Sequence, residues 1–196
     1  MGEVVNRLER RAAVAELLQQ RGDLLVVTGL GSPTYDVFAA GDHAANFYLW
    51  GAMGGAALSG LGLALAQPQR PVVAITGDGE QLMGLGGLAT ISVSAPKNLS
   101  IVVLDNGHYG ETGGQLSHSG AGVDLVAVAA SMGIPCALEV TDIAGLRNAR
   151  ELLHRIGDGP RLIVVRIRHE ETPRALPSRD GVWIKHRFRA HLGFSA

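Results

Sequence analysis

Cysteine is almost absent from this chain of 196 residues. Cys136 stands alone, so no internal disulfide forms, and one thiol by itself builds neither a zinc nor an iron–sulfur site. Its neighbours Ile134, Pro135 and Ala137 predict a small buried apolar residue there. An excess of either charge is lacking too. Seventeen basic and 18 acidic residues give a formal net charge of −1. That balance makes no electrostatic case for nucleic acid or an anionic membrane. A long apolar helix is also missing. The best candidate, Ala44 to Gln67, contains five glycines, and its helical part is too short to span a bilayer. A buried crossover helix is the expectation. Met1 to Gln20 is charged with a helical pattern, which does not read as a secretory signal, so a cytoplasmic protein is expected. Hydrolase signatures are absent: there is no GxSxG, HExxH or Walker A sequence.

What is present is an alternation of apolar strands and helices. Hydrophobic residues make up 46% of the chain, enough for an ample core at this length. The pattern predicts a helix from about Val4 to Gln20, closed by Gly22, and strands at Leu24–Thr28, Phe47–Trp50, Pro71–Thr76, Leu99–Asp105, Cys136–Glu139 and Leu162–Arg168. Helices are predicted at Thr34–Ala40, Ala52–Ala66, Gln81–Ser94, Val123–Met132 and Ile143–Ile156. Asn106 to Gly122 reads as a long polar loop, and Trp183–Leu192 as a closing helix or an extended tail. The fold class is therefore α/β: a doubly wound, mostly parallel sheet with helices on both faces. One domain is expected over residues 1–196, with a C-terminal arm from about residue 170.

Two of the predicted strands end on oxygen-bearing side chains. Asp78 lies in Gly77-Asp78-Gly79-Glu80, directly after Val72-Val73-Ala74-Ile75. Asn106 lies in Asp105-Asn106-Gly107-His108-Tyr109, directly after Ile101-Val102-Val103-Leu104. Their separation fits one βαβ unit, so the two strand ends become neighbours, and ligands of open α/β sheets bind at such ends. Glycines beside Asp78 permit close backbone approach, and free N–H groups at a helix start suit a diphosphate. A carboxylate there would repel phosphate unless a cation lay between them. Magnesium, held by a carboxylate, an amide oxygen and phosphate, resolves the conflict. Gly107 lets the chain turn so that the His108 carbonyl can join the set. Read separately, Asp78 is an Asp-Gly turn, Asn106 a turn-forming Asn-Gly, and Met53 a core residue.

Gly77-Asp78-Gly79 followed by Asp105-Asn106 resembles the motif of the diphosphate-binding (PP) domain of thiamine-diphosphate enzymes. Asp105 departs from the usual first Asn of that motif. The resemblance implies Mg²⁺ bound by the Asp78 and Asn106 side chains and the His108 carbonyl. It implies diphosphate held by backbone N–H groups of Gly79, Glu80 and Glu111, with Gly77, Tyr109 and Gly110 lining the same site. Trp50-Gly51-Ala52-Met53-Gly54-Gly55 is similar to a second family turn. There the Gly51 carbonyl would accept from the cofactor's aminopyrimidine and Met53 would wedge under the bent cofactor. Leu104 to Gln115 looks most like phosphonopyruvate and sulfopyruvate decarboxylases, with Glu111 in place of their usual Ser. A carboxylate there is unfavourable beside a dianionic substrate.

The resemblance implies decarboxylation of a 2-oxo acid, sulfopyruvate- or phosphonopyruvate-like, to an aldehyde, with carboligation as an alternative outcome. It also implies a partner. The family's pyrimidine-binding (PYR) domain supplies a catalytic glutamate, and the segment before Gly22 is too short to be that domain. A separate PYR subunit is expected. His43, His108 and His118 are candidate proton-relay or substrate groups, His118 being favoured for its loop position. Arg147, Arg150 and Arg155 read as a solvated helix face, while Arg166, Arg168 and His169 end the last strand where an anion could be met. Two rivals remain. A dinucleotide-binding fold is disfavoured because Gly29-Leu30-Gly31 is only a fragment of GxGxxG, with no acidic residue properly placed about 20 residues later. A non-enzymatic regulatory subunit is disfavoured by the intact Asp78 and Asn106.

Overall fold

Strands that read as unbroken apolar runs are buried on both faces, and that determines the architecture. In a computed structural model describing residues 7–195, six strands form one parallel sheet. They are β1 (Leu25–Thr28), β2 (Asn46–Tyr48), β3 (Val72–Gly77), β4 (Leu99–Asp105), β7 (Cys136–Val140) and β8 (Arg161–Arg166). Their order is β2-β1-β3-β4-β8-β7. A two-stranded hairpin, β5 (His108–Tyr109) and β6 (Gln115–Leu116), stands apart. The helices are α1 (Arg10–Leu17), α2 (Ser32–Ala39), α3 (Ala56–Ala66), α4 (Asp78–Met83), α5 (Gly87–Ser94), α6 (Leu125–Ser131), α7 (Ile143–Leu153) and α8 (Gly181–His191).

Alternate side chains of each strand enter opposite cores. Val73, Ile75, Val102, Leu104, Ile163 and Val165 pack with α1, α2 and α7. Val72, Leu99, Ile101, Val103, Leu162 and Val164 pack with α3, α5 and α6. Full burial of each such side chain contributes roughly 1.5–3 kcal/mol. Chain from β1 thus passes to one face through α2, and chain from β3 to the other through α4 and α5. The tips of β1 and β3 part there, which is the topological switch point where α/β sheets open a crevice.

Several boundaries differ from the sequence pattern, each for a physical reason. The expected helix Gln81–Ser94 is two helices. Gly84, Gly86 and Gly87 lower helix propensity at the break, and Gly84 lies against the backbone of Gly54, where any Cβ would overlap. Helix α3 starts at Ala56 rather than Ala52, because residues 51–55 form a turn with Ala52 at φ +53°. The loop from Asn106 to Gly122 contains the β5–β6 hairpin and a short 3₁₀ turn, Gly110–Thr112. Of the expected first helix only α1 is seen, with Glu9 capping it; its expected start at Val4 lies outside the described residues. The last strand ends at Arg166, and β2 covers Asn46–Tyr48. Cys136 is half-exposed rather than buried, since β7 is an edge strand. The chain after β8 resolves into helix α8, capped by Asp180 and packed beside β2 through Phe188 on Phe47.

Candidate active site

The Asp78 side chain is 2% exposed. Its Oδ2 accepts hydrogen bonds from the Ser117 hydroxyl at 2.5 Å and the Ser119 hydroxyl at 2.8 Å. Both serines take the same oxygen; neither takes Oδ1. Burial pushes the Asp78 carboxyl up, the two serines pull it back, and the nearby Asp105 pushes it up again. Two buried carboxylates therefore converge at the ends of β3 and β4, where Gly77 is in register with Leu104.

Asp105 is tied down elsewhere. Its Oδ1 accepts from Gly107 N at 2.9 Å and lies 2.9 Å from Ser119 Oγ, whose single proton it shares with Asp78 Oδ2, and its Oδ2 pairs with Arg166. Arg166 also binds Glu139 at 2.7 Å. An aspartate at this position is explained by that pairing, which ties β4 to β8 and on to β7. Arg166 is thereby engaged and does not serve as the anion-meeting residue contemplated from sequence. Asn106 follows with an Asx turn, its Oδ1 accepting from His108 N at 2.8 Å. The His108 ring stacks on His169 with centroids 4.0 Å apart.

Tyr109 closes over the β3–α4 turn. A Cβ at Gly79 would fall 2.6 Å from the Tyr109 ring, so only glycine admits that contact. The Tyr109 hydroxyl meets His118 Nδ1 at 2.5 Å. Glu80 is a second buried carboxylate in the turn. It accepts from Thr76 Oγ1 at 2.8 Å and from Ala56 N at 3.4 Å. A Cβ at Gly29 would overlap it. One carboxylate thus joins the turns after β1, before α3 and after β3. Burial pushes it up, and its donors only partly reverse that.

These tips enclose a narrow cavity of ≈60 Å³. It brings together Met53, Gly77, Asp78, Gly79, Glu80, Asn106, His108, Tyr109, Gly110 and Glu111 of the residues singled out in the sequence. Gly51 and His118 are exposed and lie outside it. His43 is remote, packed edge-on against His191. Arg150 and Arg147 both reach Glu16 on α1, so that helix face is partly paired rather than simply solvated. Sequence reasoning missed Leu30, Ser32 and Arg10, which complete the wall, and the two serines behind Asp78. No periodicity marks a hydroxyl that turns back onto a carboxylate about 40 residues earlier. A wider cavity of ≈550 Å³ adjoins the first, and Arg10, Ser32 and Glu111 belong to both.

Oxygen donors of this type suit a hard cation. Among the described residues there is no cluster of three His, Cys, Asp or Glu side chains, so a carboxylate–amide–carbonyl set is the chemistry on offer. A parallel α/β sheet with an acid and an amide at adjacent strand tips fits a domain that binds an anionic ligand through a cation. The profile of the thiamine pyrophosphate enzyme C-terminal TPP-binding domain matches residues 31–165, and the chain belongs to that family.

Individual relatives agree. The chain is 43% identical over 168 residues to a phosphonopyruvate decarboxylase of Streptomyces viridochromogenes, covering 85% of this chain and 42% of that one. It thus spans less than half of that relative's length. It is 36% identical over 190 residues to a sulfopyruvate decarboxylase subunit beta of Methanococcus maripaludis, covering 92% of this chain and 96% of that one. Benzoylformate decarboxylase from Polynucleobacter necessarius superposes with a TM-score of 0.67 at 24% identity, over 88% of this chain and 36% of that one. That likeness speaks to the fold alone. No helix among the described residues is long and apolar enough to cross a membrane.

Proposed function

We propose that this chain is the diphosphate- and magnesium-binding subunit of a two-component enzyme that decarboxylates a 2-oxo acid to an aldehyde. The observation that carries the reading is the convergence of Asp78 and Asn106 on one cavity, with Asp78 Oδ2 held by two serines and Oδ1 taken by neither. Asp78, Asn106 and the His108 carbonyl would hold Mg²⁺, and the N–H groups of Gly79, Glu80 and Glu111 would hold the diphosphate. When bound, thiamine diphosphate supplies the covalent electron sink that this decarboxylation requires.

The chain's own residues orient and seclude. Met53, half-buried in the cavity wall, supports the shape of the cofactor. Glu80 fixes the turn that carries Met53 against the diphosphate turn. Leu30, Leu104 and Ile167 make the wall apolar and exclude water. Gly51 would contribute a backbone carbonyl. His118 is a proton-relay candidate only through Tyr109, whose ring lines the cavity.

A relative whose length is almost wholly matched is named a beta subunit, which supports a separate partner for this chain. That partner would carry the pyrimidine-binding half and its glutamate. A cytoplasmic location belongs to the same proposal, and cell fractionation tests it. The decisive experiment recovers the native complex through a tag on this chain and assays 2-oxo acids with Mg²⁺ and thiamine diphosphate. Aldehyde and CO₂ should form, and Asp78→Ala should lower cofactor affinity at least 100-fold by calorimetry. A complex that binds no thiamine diphosphate overturns the reading.

A further inference from the structure

We propose that Glu111 is a charge filter that makes this enzyme prefer 2-oxo acids carrying no second negative charge. The inference rests on the decarboxylase reading above and deepens it by naming the substrate class.

Glu111 sits on the 3₁₀ turn Gly110–Thr112, which follows Asn106 and the first hairpin strand. It lines the narrow cavity with Asp78 and Met53, and it also lines the wider polar cavity beside it. Glu111 thus stands at the junction of the two cavities, where a substrate approaching the Asp78 end from the wider cavity would meet it. The carboxylate of Glu111 lies across this junction onto Gly31, at the far tip of β1, where any Cβ would overlap it. Its charge reaches the Tyr35 phenol, which burial first and Glu111 second push above its ordinary range.

No side-chain cation pairs with this carboxylate among the described residues. The buried cation of the wall, Arg10, is already engaged: its Nε lies 2.5 Å from Asp36 Oδ2, and its Nη1 donates to Ser32 Oγ at 2.9 Å. Arg11 contacts the same aspartate at 3.4 Å. The wider cavity has one further arginine, Arg174, stacked 5.9 Å from the Tyr35 centroid. Against it stand Glu111, Glu170 and Glu171, with His169 as the remaining titratable group. A 2-oxo acid with a sulfonate or phosphonate on C3 would bring its second anion into that field. At roughly 6 Å and an effective dielectric of about 20, repulsion between two unit charges amounts to about 100-fold in binding, before salt screening.

The test uses the native complex loaded with Mg²⁺ and thiamine diphosphate. kcat/KM is measured for pyruvate and 2-oxobutanoate, and for 3-sulfopyruvate and 3-phosphonopyruvate. The wild-type complex should prefer the monoanions at least ten-fold. Glu111→Gln, which keeps shape and removes charge, should raise the dianion-to-monoanion ratio at least ten-fold, chiefly through KM, and Glu111→Ser should move it the same way. Added KCl should raise the same ratio in the wild type, a measurement that needs no variant. A wild-type preference for the dianions, or a ratio within two-fold of wild type in both variants, overturns the filter. Failure to decarboxylate any of the four acids overturns the decarboxylase reading itself, and the filter with it.

Discussion

Ser117 and Ser119 are the residues that turn Asp78 from a buried liability into a defined donor. A buried carboxylate near a second one needs partners, and the two hydroxyls supply them at one oxygen. Groups that orient a metal-binding carboxylate typically alter metal affinity 10- to 100-fold when removed. Replacing Ser117 and Ser119 together by Ala should therefore weaken Mg²⁺ binding at least ten-fold in titration calorimetry with thiamine diphosphate present. The melting temperature should fall by only a few degrees. Undiminished Mg²⁺ affinity would show that the serines merely fill space. Glu80 illustrates a related lesson. Its backbone position was expected at the site, but its side chain has the larger structural role, joining three turns through Thr76, the Ala56 N–H and its packing against Gly29.

Among the elements, α3 and α8 show how the sheet keeps its tips in register. Asn98, just before β4, is 3% exposed and donates to the carbonyls of Ala64, Gln67 and Arg70 at 2.8–3.1 Å. It ties Ala64 near the end of α3, and the turn that follows, to the start of β4. Asn98→Ala takes this donor from the Ala64 and Arg70 carbonyls, while the Gln67 carbonyl keeps the Arg70 N–H, and should cost about 2 kcal/mol in urea denaturation. A loss below about 0.5 kcal/mol would mean that water replaces the amide freely. Helix α8 is held to the β2 edge by Arg187, which pairs with Asp42 at 2.6 Å and donates to the Asn46 carbonyl at 3.0 Å. Burial alone would push the Asp42 carboxyl up, but hydrogen bonds from Tyr48 and Arg187 hold it below its ordinary 3.8. The stability it lends is present in full above that ordinary value and disappears as pH falls through the lower folded one. Acid unfolding monitored by circular dichroism should therefore be shallower between about pH 4 and 2 in Arg187→Ala than in the wild type. Parallel curves would assign no such role to the pair.

For the whole molecule the size of the site is informative. The narrow cavity of ≈60 Å³ opens beside a wider one of ≈550 Å³, so the site is a cleft rather than an enclosed pocket. Under the two-component proposal the rest of the cofactor would lie against the partner's surface. The isolated chain should bind thiamine diphosphate with Mg²⁺ at least ten-fold more weakly than the assembled complex, by calorimetry on both. Equal affinities would show that this chain builds the site unaided.

The sequence alone determined the parallel α/β class, the pairing of Asp78 with Asn106 and the place of Met53. Each depends on short-range patterns: an apolar run makes a buried strand, and one crossover of about 28 residues brings two strand ends together. It left open where the helix after Asp78 breaks, because that depends on the Gly54 backbone meeting Gly84. The tertiary structure decided the partners of the buried polar groups: Ser117 and Ser119 for Asp78, Arg166 for Asp105, Asp36 for Arg10. A buried charge must find a partner, but packing between distant segments chooses which one, and no local periodicity records that choice.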